Sequence, residues 1–306
     1  MDEKVIAQLC NECFGAEPES VERCAVGLAN FVYIVECEHQ KITIRCSAEK
    51  DAYKNTIYWL ERLGQINVPV PAVLGHGEYR EYAYLMLSYL EGRDLGLVYP
   101  QLTKGEKRII AKEIVEIQNR VATLLLENVD ENWSWESFIQ YMLNRAKERI
   151  TANGYFDPKK VEQLKEQAVK LYTYFSDVQP IAYLDDISTK NLLIHNGRIS
   201  GIIDIDWMGI GDKLTFVALT NVALLNMECD ADYVDLILEE MQISETEKQA
   251  FLFYSLMYCV DFMGERGMQF MDKKIEVNDA VISRLNGIYE RLWSEFITYV
   301  NYLQNY

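Results

Sequence analysis

Residues Tyr183 to Asp212 read YLDDISTKNLLIHNGRISGIIDIDWMGIGD, and this stretch decides the fold. Asp186-Ile-Ser-Thr-Lys-Asn191 sets an acid and an amide five residues apart at the head of an apolar run, Leu192-Leu-Ile-His195. Asn196-Gly197 suits a two-residue hairpin turn, which needs positive φ at both positions. Ile199-Ser-Gly-Ile-Ile-Asp204 then reads as the return strand, with Asp204 at its end, thirteen residues after Asn191. A hairpin folds those ends together, so Asp186, Asn191 and Asp204 are expected to converge. Phosphoryl transfer needs such a set: one carboxylate to orient or deprotonate the attacking hydroxyl, and an amide oxygen and a second carboxylate to hold Mg²⁺ on nucleotide phosphates. Asp-x₄-Asn alone arises often by chance; a hairpin and Ile-Asp behind it make the pattern specific.

Outward from this segment the chain changes character. Before it, Phe31–Cys37 and Lys41–Cys46 are rich in β-branched and aromatic residues and read as a hairpin joined by Glu38–Gln40. Ala48–Leu63 carries apolar residues at helical spacing, with Gly64 placed as a C-cap. Val68-Pro-Val-Pro71 favours extended backbone, and Tyr82–Tyr89 reads as a buried strand. After Thr103 the pattern turns helical over Lys104–Leu126, Trp135–Ala152 and Pro158–Ser176, with Thr103 and Glu106 forming a capping box. Helices return from Leu214 to Tyr306. Trp133 and Trp135 anchor a helix start and are assigned no chemistry. The expected class is α+β: a small β-rich lobe over 1–90, a hinge near 88–92, and a large, mainly helical lobe over 91–306.

Composition narrows the partners. Thirty Lys and Arg against 47 Asp and Glu leave a net charge of −17. There is no basic footprint for nucleic acid. The acidity serves solubility or, in part, attracts a cationic ligand. No run of 18 apolar residues suggests a membrane-spanning helix. The N-terminus MDEKVIAQLC is acidic and amphipathic, unlike a signal peptide. Seven scattered cysteines and three histidines argue against a structural zinc site and fit reduced thiols in a cytoplasm. A monomer is the expected state.

The quoted stretch resembles the catalytic core of the aminoglycoside phosphotransferase family, which is similar in fold to protein kinases and choline kinases. That family's pattern is His-Gly-Asp-x₄-Asn followed by Ile-Asp-x₅₋₆-Gly-Asp. The resemblance implies that Asp186 is the catalytic aspartate, that Asn191 and Asp204 are metal ligands for Mg²⁺, and that Gly211-Asp212 closes the motif, its aspartate bracing the catalytic loop. Two positions depart: Leu184 stands where the family has histidine, and Asp185 where it has glycine. Asp185 is either a substrate-facing carboxylate or a solvated loop residue, and Asp206 is either a second acidic contact or a polar strand end.

The resemblance extends to the N-terminal third. Gly27-Leu-Ala-Asn-Phe-Val-Tyr33 is similar to the family's turn over the phosphates, so Gly27 and Asn30 would touch nucleotide, with Ala29 in place of the usual serine. Arg45 matches the strand cation that pairs the phosphates of ATP or GTP. Its helix partner is open: the alignment puts Tyr53 where the family has glutamate, and Glu49, a turn earlier, is the substitute. Ser88, Tyr89 and Leu90 match the hinge backbone that takes the base, with Leu87 as gatekeeper.

On the acceptor side, Glu228, Asp230 and Asp232 lie between helices, while Asp261 and Glu265 share one helical face and are expected either to hold two ammonium groups or to cap helices and meet water. The implied function is an Mg²⁺-dependent kinase of a cationic, aminoglycoside-like hydroxyl acceptor, hence antibiotic resistance. Alternatives are a kinase of a metabolite such as choline, a sugar or an amino alcohol, or a nucleotide-binding module without catalysis.

Overall fold

The computed structural model describes residues 3–24, 31–127, 129–270 and 273–304. In chain order the elements begin with α1 (Glu3–Phe14), β1 (Ser20–Arg23), β2 (Phe31–Cys37), β3 (Gln40–Ser47), α2 (Lys54–Gln65), β4 (Val73–Tyr79), β5 (Tyr82–Ser88) and β6 (Arg93–Asp94). Next come α3 (Leu95–Val98), a 3₁₀ turn (Tyr99–Gln101), α4 (Lys104–Val121), α5 (Trp135–Asn153), α6 (Lys159–Lys170), α7 (Tyr172–Asp177) and β7 (Ala182–Tyr183). They are followed by β8 (Leu192–His195), β9 (Arg198–Ile202), β10 (Gly209–Ile210), α8 (Leu214–Asn226), α9 (Asp232–Met241) and α10 (Glu245–Glu265). The two-residue strands β11 (Gln269–Phe270) and β12 (Lys273–Lys274) precede α11 (Asp279–Gln304).

These elements form two compact units. The first holds Met1–Arg93, Leu193–His195 and Ile199–Met208; the second holds Asp94–Leu192, Asn196–Arg198 and Gly209–Tyr306. The fold class is α+β and protein-kinase-like, with a β-sheet N-terminal region and a helical C-terminal region.

The first unit is built on an antiparallel sheet ordered β1-β2-β3-β5-β4. Strand alternation sends Tyr33 and Val35 of β2, Ile42, Ile44 and Cys46 of β3 and Met86 of β5 into one core with Ile6, Leu9 and Cys10 of α1. Tyr33 pairs with Ile44 and Val35 with Ile42, so the apolar residues sit directly opposite one another. Arg45, one residue along β3, takes the other face. The β2–β3 turn uses Glu38 and His39 at φ 49° and 63°, and the predicted Asn196-Gly197 turn has φ 50° and 72°.

Strands β1 and β4 were not expected from the sequence. Both are edges, and β4 carries Gly75 and Gly77 with a register shift between Val73 and Gly75, a composition poor in strand signals. Helix α2 starts six residues later than its apolar pattern suggests, after turns closed by Ala52 N–H to Glu49 O and Lys54 N–H to Asp51 O. It also runs past Gly64, because Asn67 takes the left-handed turn (φ 58°) and its N–H bonds Gly64 O.

In the second unit α10 is the axis. Its Ala250–Met257 run is buried on every face, as a helix surrounded by others must be, and it packs on α5, α6, α8 and α11. Helix α4 packs on α9. The capping box at α4 forms as read: Glu106 N–H donates to Thr103 Oγ1 (3.2 Å) and Thr103 N–H to Glu106 Oε2 (2.8 Å). Trp135 is fully buried at the start of α5, stacked on Phe138 with centroids 4.6 Å apart. The predicted Pro158–Ser176 helix is two helices, breaking at Leu171, whose N–H bonds Ala168 O. All seven cysteines are free. Among the described residues no helix is long and apolar enough to cross a membrane.

Candidate active site

In the second unit, the Asp186–Asn191 loop is anchored by its own middle. Ile187, Ser188 and Thr189 are buried while Asp186 is exposed. Asn191 adopts φ 66°, a left-handed conformation that asparagine tolerates. This turns its Nδ2 back to donate to the Asp186 carbonyl (3.0 Å) and to Asp186 Oδ2 (3.3 Å). Its own N–H donates to Asp94 Oδ1 (3.1 Å), and Gly96 N–H donates to Thr189 O (2.8 Å). A Cβ at Gly96 would come within 3.0 Å of Thr189 Cβ and O, so glycine permits that close approach. With Nδ2 committed to Asp186, Asn191 presents Oδ1 as its acceptor.

Leu184, where the resemblance expects histidine, is buried, and its backbone is clamped by a side chain from α4. Gln118 Nε2 donates to Leu184 O (2.8 Å) and Leu184 N–H donates to Gln118 Oε1 (2.9 Å). Gln118 is 1% exposed. Asp185 is half-buried, and its Oδ1 accepts the Asp186 N–H (2.9 Å). Burial, and then the neighbouring Asp186 charge, push the Asp185 carboxyl up to about 6.

Asp212 is buried and accepts hydrogen bonds from Tyr174 OH (2.6 Å), Tyr254 OH (3.0 Å) and Leu214 N–H (2.9 Å). Tyr254 OH also accepts from Trp135 Nε1 (2.8 Å). Burial raises the Asp212 pKa, and these three hydrogen bonds oppose the rise. At Gly211, φ is 131° and a Cβ would lie 2.2 Å from the Trp135 ring, so the turn into Asp212 excludes any side chain. In this chain Asp212 braces the tyrosines and the start of α8.

In the first unit, β9 ends at Ile202, not at Asp204 as expected; Asp204 lies beyond it at φ 61°. Arg45 is 7% exposed. Its Nη1 and Nη2 reach Asp206 Oδ1 (3.0 Å) and Oδ2 (2.8 Å), and Nη2 also lies 3.2 Å from Asp204 Oδ1. Burial alone would lower the arginine pKa, but the hydrogen bonds and charge of Asp206, with the charge of Asp204, raise it. Tyr53 places its ring 5.5 Å from the guanidinium. The position aligned with the family glutamate thus offers Arg45 an aromatic face, and the carboxylate comes from Asp206. Glu49 sits at the β3–α2 corner, exposed, with its N–H on Ser47 Oγ.

At the end of β5, Ser88 N–H and Oγ are both used on Ala72. Leu87 is buried in β5. Gly27, Ala29 and Asn30 lie outside the described residues.

Asn191 in the second unit and Asp204 in the first each offer an oxygen donor of the hard type that Mg²⁺ takes. Among the described residues no cluster of three or more His, Cys, Asp or Glu suits a metal.

A profile of the phosphotransferase enzyme family, APH, matches residues 24–215, more than half of the chain. The chain belongs to the APH phosphotransferase family. A thermostable mutant of the aminoglycoside phosphotransferase APH(4)-Ia, in ternary complex with AMP-PNP and hygromycin B, superposes with a TM-score of 0.67 at 17% identity, over 93% of this chain and 98% of that one. ADP-bound APH(2'')-Ib gives 0.65 at 13% identity, over 94% and 97%. A Haemophilus somnus 129PT protein assigned as a fructosamine-3-kinase gives 0.63 at 16%, over 94% and 97%. At these identities the likeness speaks for the fold. No curated protein matches the sequence. As a member of this family the chain is a phosphotransferase.

The acids expected on the APH acceptor side separate into two groups. Asp230 accepts from Lys107 Nζ (2.7 and 2.9 Å) and Tyr99 OH (3.0 Å), and its Oδ1 also accepts the Asp232 N–H (3.1 Å) at the start of α9. Asp261 is 6% exposed and pairs with Arg145 (2.8 Å) and Arg149 (3.4 Å), while Glu265 lies 3.8 Å from Arg149. The face expected to receive two ammonium groups therefore holds two guanidinium groups of α5. Glu228 lies 3.6 Å from Arg284 with its side chain 77% exposed, and Asp232 is exposed on α9. Sequence reasoning missed Gln118, Asp94, Tyr174, Asn55 and Thr56. None sits in a motif, and each acts across long sequence separation. Asp206 was visible as an Asp-x-Asp pair with Asp204, without its partner.

Proposed function

We propose that this enzyme transfers the γ-phosphoryl group of ATP or GTP to a hydroxyl of an amine-bearing, aminoglycoside-like small molecule. The reading rests on the Asp186–Asn191 loop: an exposed carboxylate held by an amide, itself fixed in a left-handed turn at the head of the hairpin. Asp186 orients the acceptor hydroxyl and takes its proton as the oxygen bonds to the γ-phosphorus. The bond from phosphorus to the bridging oxygen breaks, and the nucleoside diphosphate leaves with the electron pair. Asn191 and Asp204 hold Mg²⁺, which supplies charge neutralisation on the phosphate oxygens. Arg45 draws the phosphates, the backbone of Tyr89 and Leu90 takes the base, and Gly27 and Asn30 are the positions that the family pattern implies for further phosphate contact. Asp185 and Asp232 are the acids left to meet ammonium groups. Hygromycin B on APH(4)-Ia supports an antibiotic acceptor.

A second reading, a kinase of a sugar or amino alcohol, gains from two observations. Asp230 and Asp261 are paired with Lys107 and Arg145 of the protein itself, which thins the acidic surface for a polycation. The fold is shared with the protein assigned as a fructosamine-3-kinase. Mass spectrometry after incubation with Mg²⁺, ATP, GTP and a mixed acceptor panel separates the two. The first reading expects a gain of one phosphoryl group on an aminoglycoside; phosphorylation confined to sugars, choline or amino alcohols rejects it.

A further inference from the structure

Arg45 is the strand cation expected to meet the nucleotide phosphates, yet α2 supplies it with no carboxylate at the family position, where Tyr53 stands. A long, flexible arginine must be fixed to act as a preset anion site, since otherwise its rotamer entropy is lost on binding. Asp206 is arranged to do this. It meets the guanidinium with two parallel N–H···O bonds of 3.0 and 2.8 Å, which set the plane as well as the position of the group. The carboxylate is itself held: Thr56 Oγ1, in the first turn of α2, donates to Asp206 Oδ1 (2.7 Å), and Asn55 Nδ2 donates to the Asp206 carbonyl. Because Asp206 follows Asp204 by two residues, the same clamp brings Arg45 Nη2 to 3.2 Å from Asp204 Oδ1. We propose that Asp206 is the positioning residue of the phosphate site, holding Arg45 in register with Asp204 from the segment after β9 in place of a helix glutamate. This rests on the reading of Arg45 as a phosphate ligand.

The alternative role for Asp206 is a second metal carboxylate, and the two differ in what they move. The test compares wild type, Asp206→Asn, Asp206→Glu, Arg45→Ala and the double variant Arg45→Ala/Asp206→Asn. It measures Mg²⁺–ATP and Mg²⁺–GTP binding by calorimetry, steady-state kcat and KM, half-saturating Mg²⁺, and melting temperature. Asp206→Asn is expected to raise nucleotide KM and Kd about ten- to a hundredfold, the range for losing charged hydrogen bonds. The half-saturating Mg²⁺ should stay unchanged, Asp206→Glu should recover part of the affinity, and the double variant should be little worse than Arg45→Ala, because the two residues act as one unit. If Asp206→Asn does not fold, Thr56→Val removes only the hydroxyl that orients Asp206 and should raise nucleotide KM by about threefold or more. Unchanged nucleotide KM in these variants, additive losses in the double variant, or a shift in half-saturating Mg²⁺ overturns the proposal. Those results in an enzyme that still turns over leave the phosphotransfer reading standing. A wild-type protein that binds neither nucleotide overturns both.

Discussion

Asp185 precedes the proposed catalytic carboxylate and stands where the family pattern has glycine. Its carboxyl is raised to about 6, first by burial and second by the charge on Asp186. A raised acid pKa means that the folded protein holds this proton over a range where the unfolded chain has lost it. Stability from this group is therefore present at low pH and is lost as pH rises from about 4 to about 6. Asp185→Asn removes the ionisation and keeps an oxygen for the Asp186 N–H. Melting temperatures across that range should show the variant gaining on wild type as pH rises, with the gap constant above it. A gap independent of pH would mean that the Asp185 carboxyl titrates normally.

At the level of elements, α4 clamps the backbone at Leu184, the position where the family pattern has histidine. Gln118 is read from sequence as an ordinary helix residue; only packing shows that its amide bonds both backbone groups of Leu184, two residues before Asp186. Gln118→Leu keeps the side-chain size and leaves a buried N–H and carbonyl unpaired, at a cost of about 1–3 kcal/mol. If the clamp sets the loop, kcat should fall by about tenfold or more while nucleotide KM holds, since misplacement of a reacting group is felt in the transition state. A loss of melting temperature with kcat intact would make Gln118 a structural residue only. The same contrast explains what was legible in the sequence. The hairpin at Asn196-Gly197, the Thr103 capping box and the Asp186/Asn191 pair are local patterns with short-range physical causes. The edge strands β1 and β4, the late start of α2 and the Asp206–Arg45 clamp depend on contacts between distant residues, which leave little local signature.

Across the whole molecule the charge of −17 is not spread as a uniform attractor for cations. Several acids expected to receive a substrate are matched by bases: Asp230 by Lys107, Asp261 by Arg145 and Arg149, and Glu228 by Arg284. Much of the remaining excess raises solubility and steers charged ligands through a long-range field that salt screens. The proposed mechanism uses few of these acids, and Asp186 stands first among them: exposed, hydrogen-bonded by Asn191 and set on a buried loop. The decisive measurement compares wild type with Asp186→Ala for phosphoryl transfer to the acceptor found in the panel, alongside Mg²⁺–nucleotide binding by calorimetry. The account predicts that turnover is abolished, falling by at least the roughly 10²–10⁴-fold contribution of a general base, with nucleotide affinity preserved. Near-normal turnover in Asp186→Ala would contradict it.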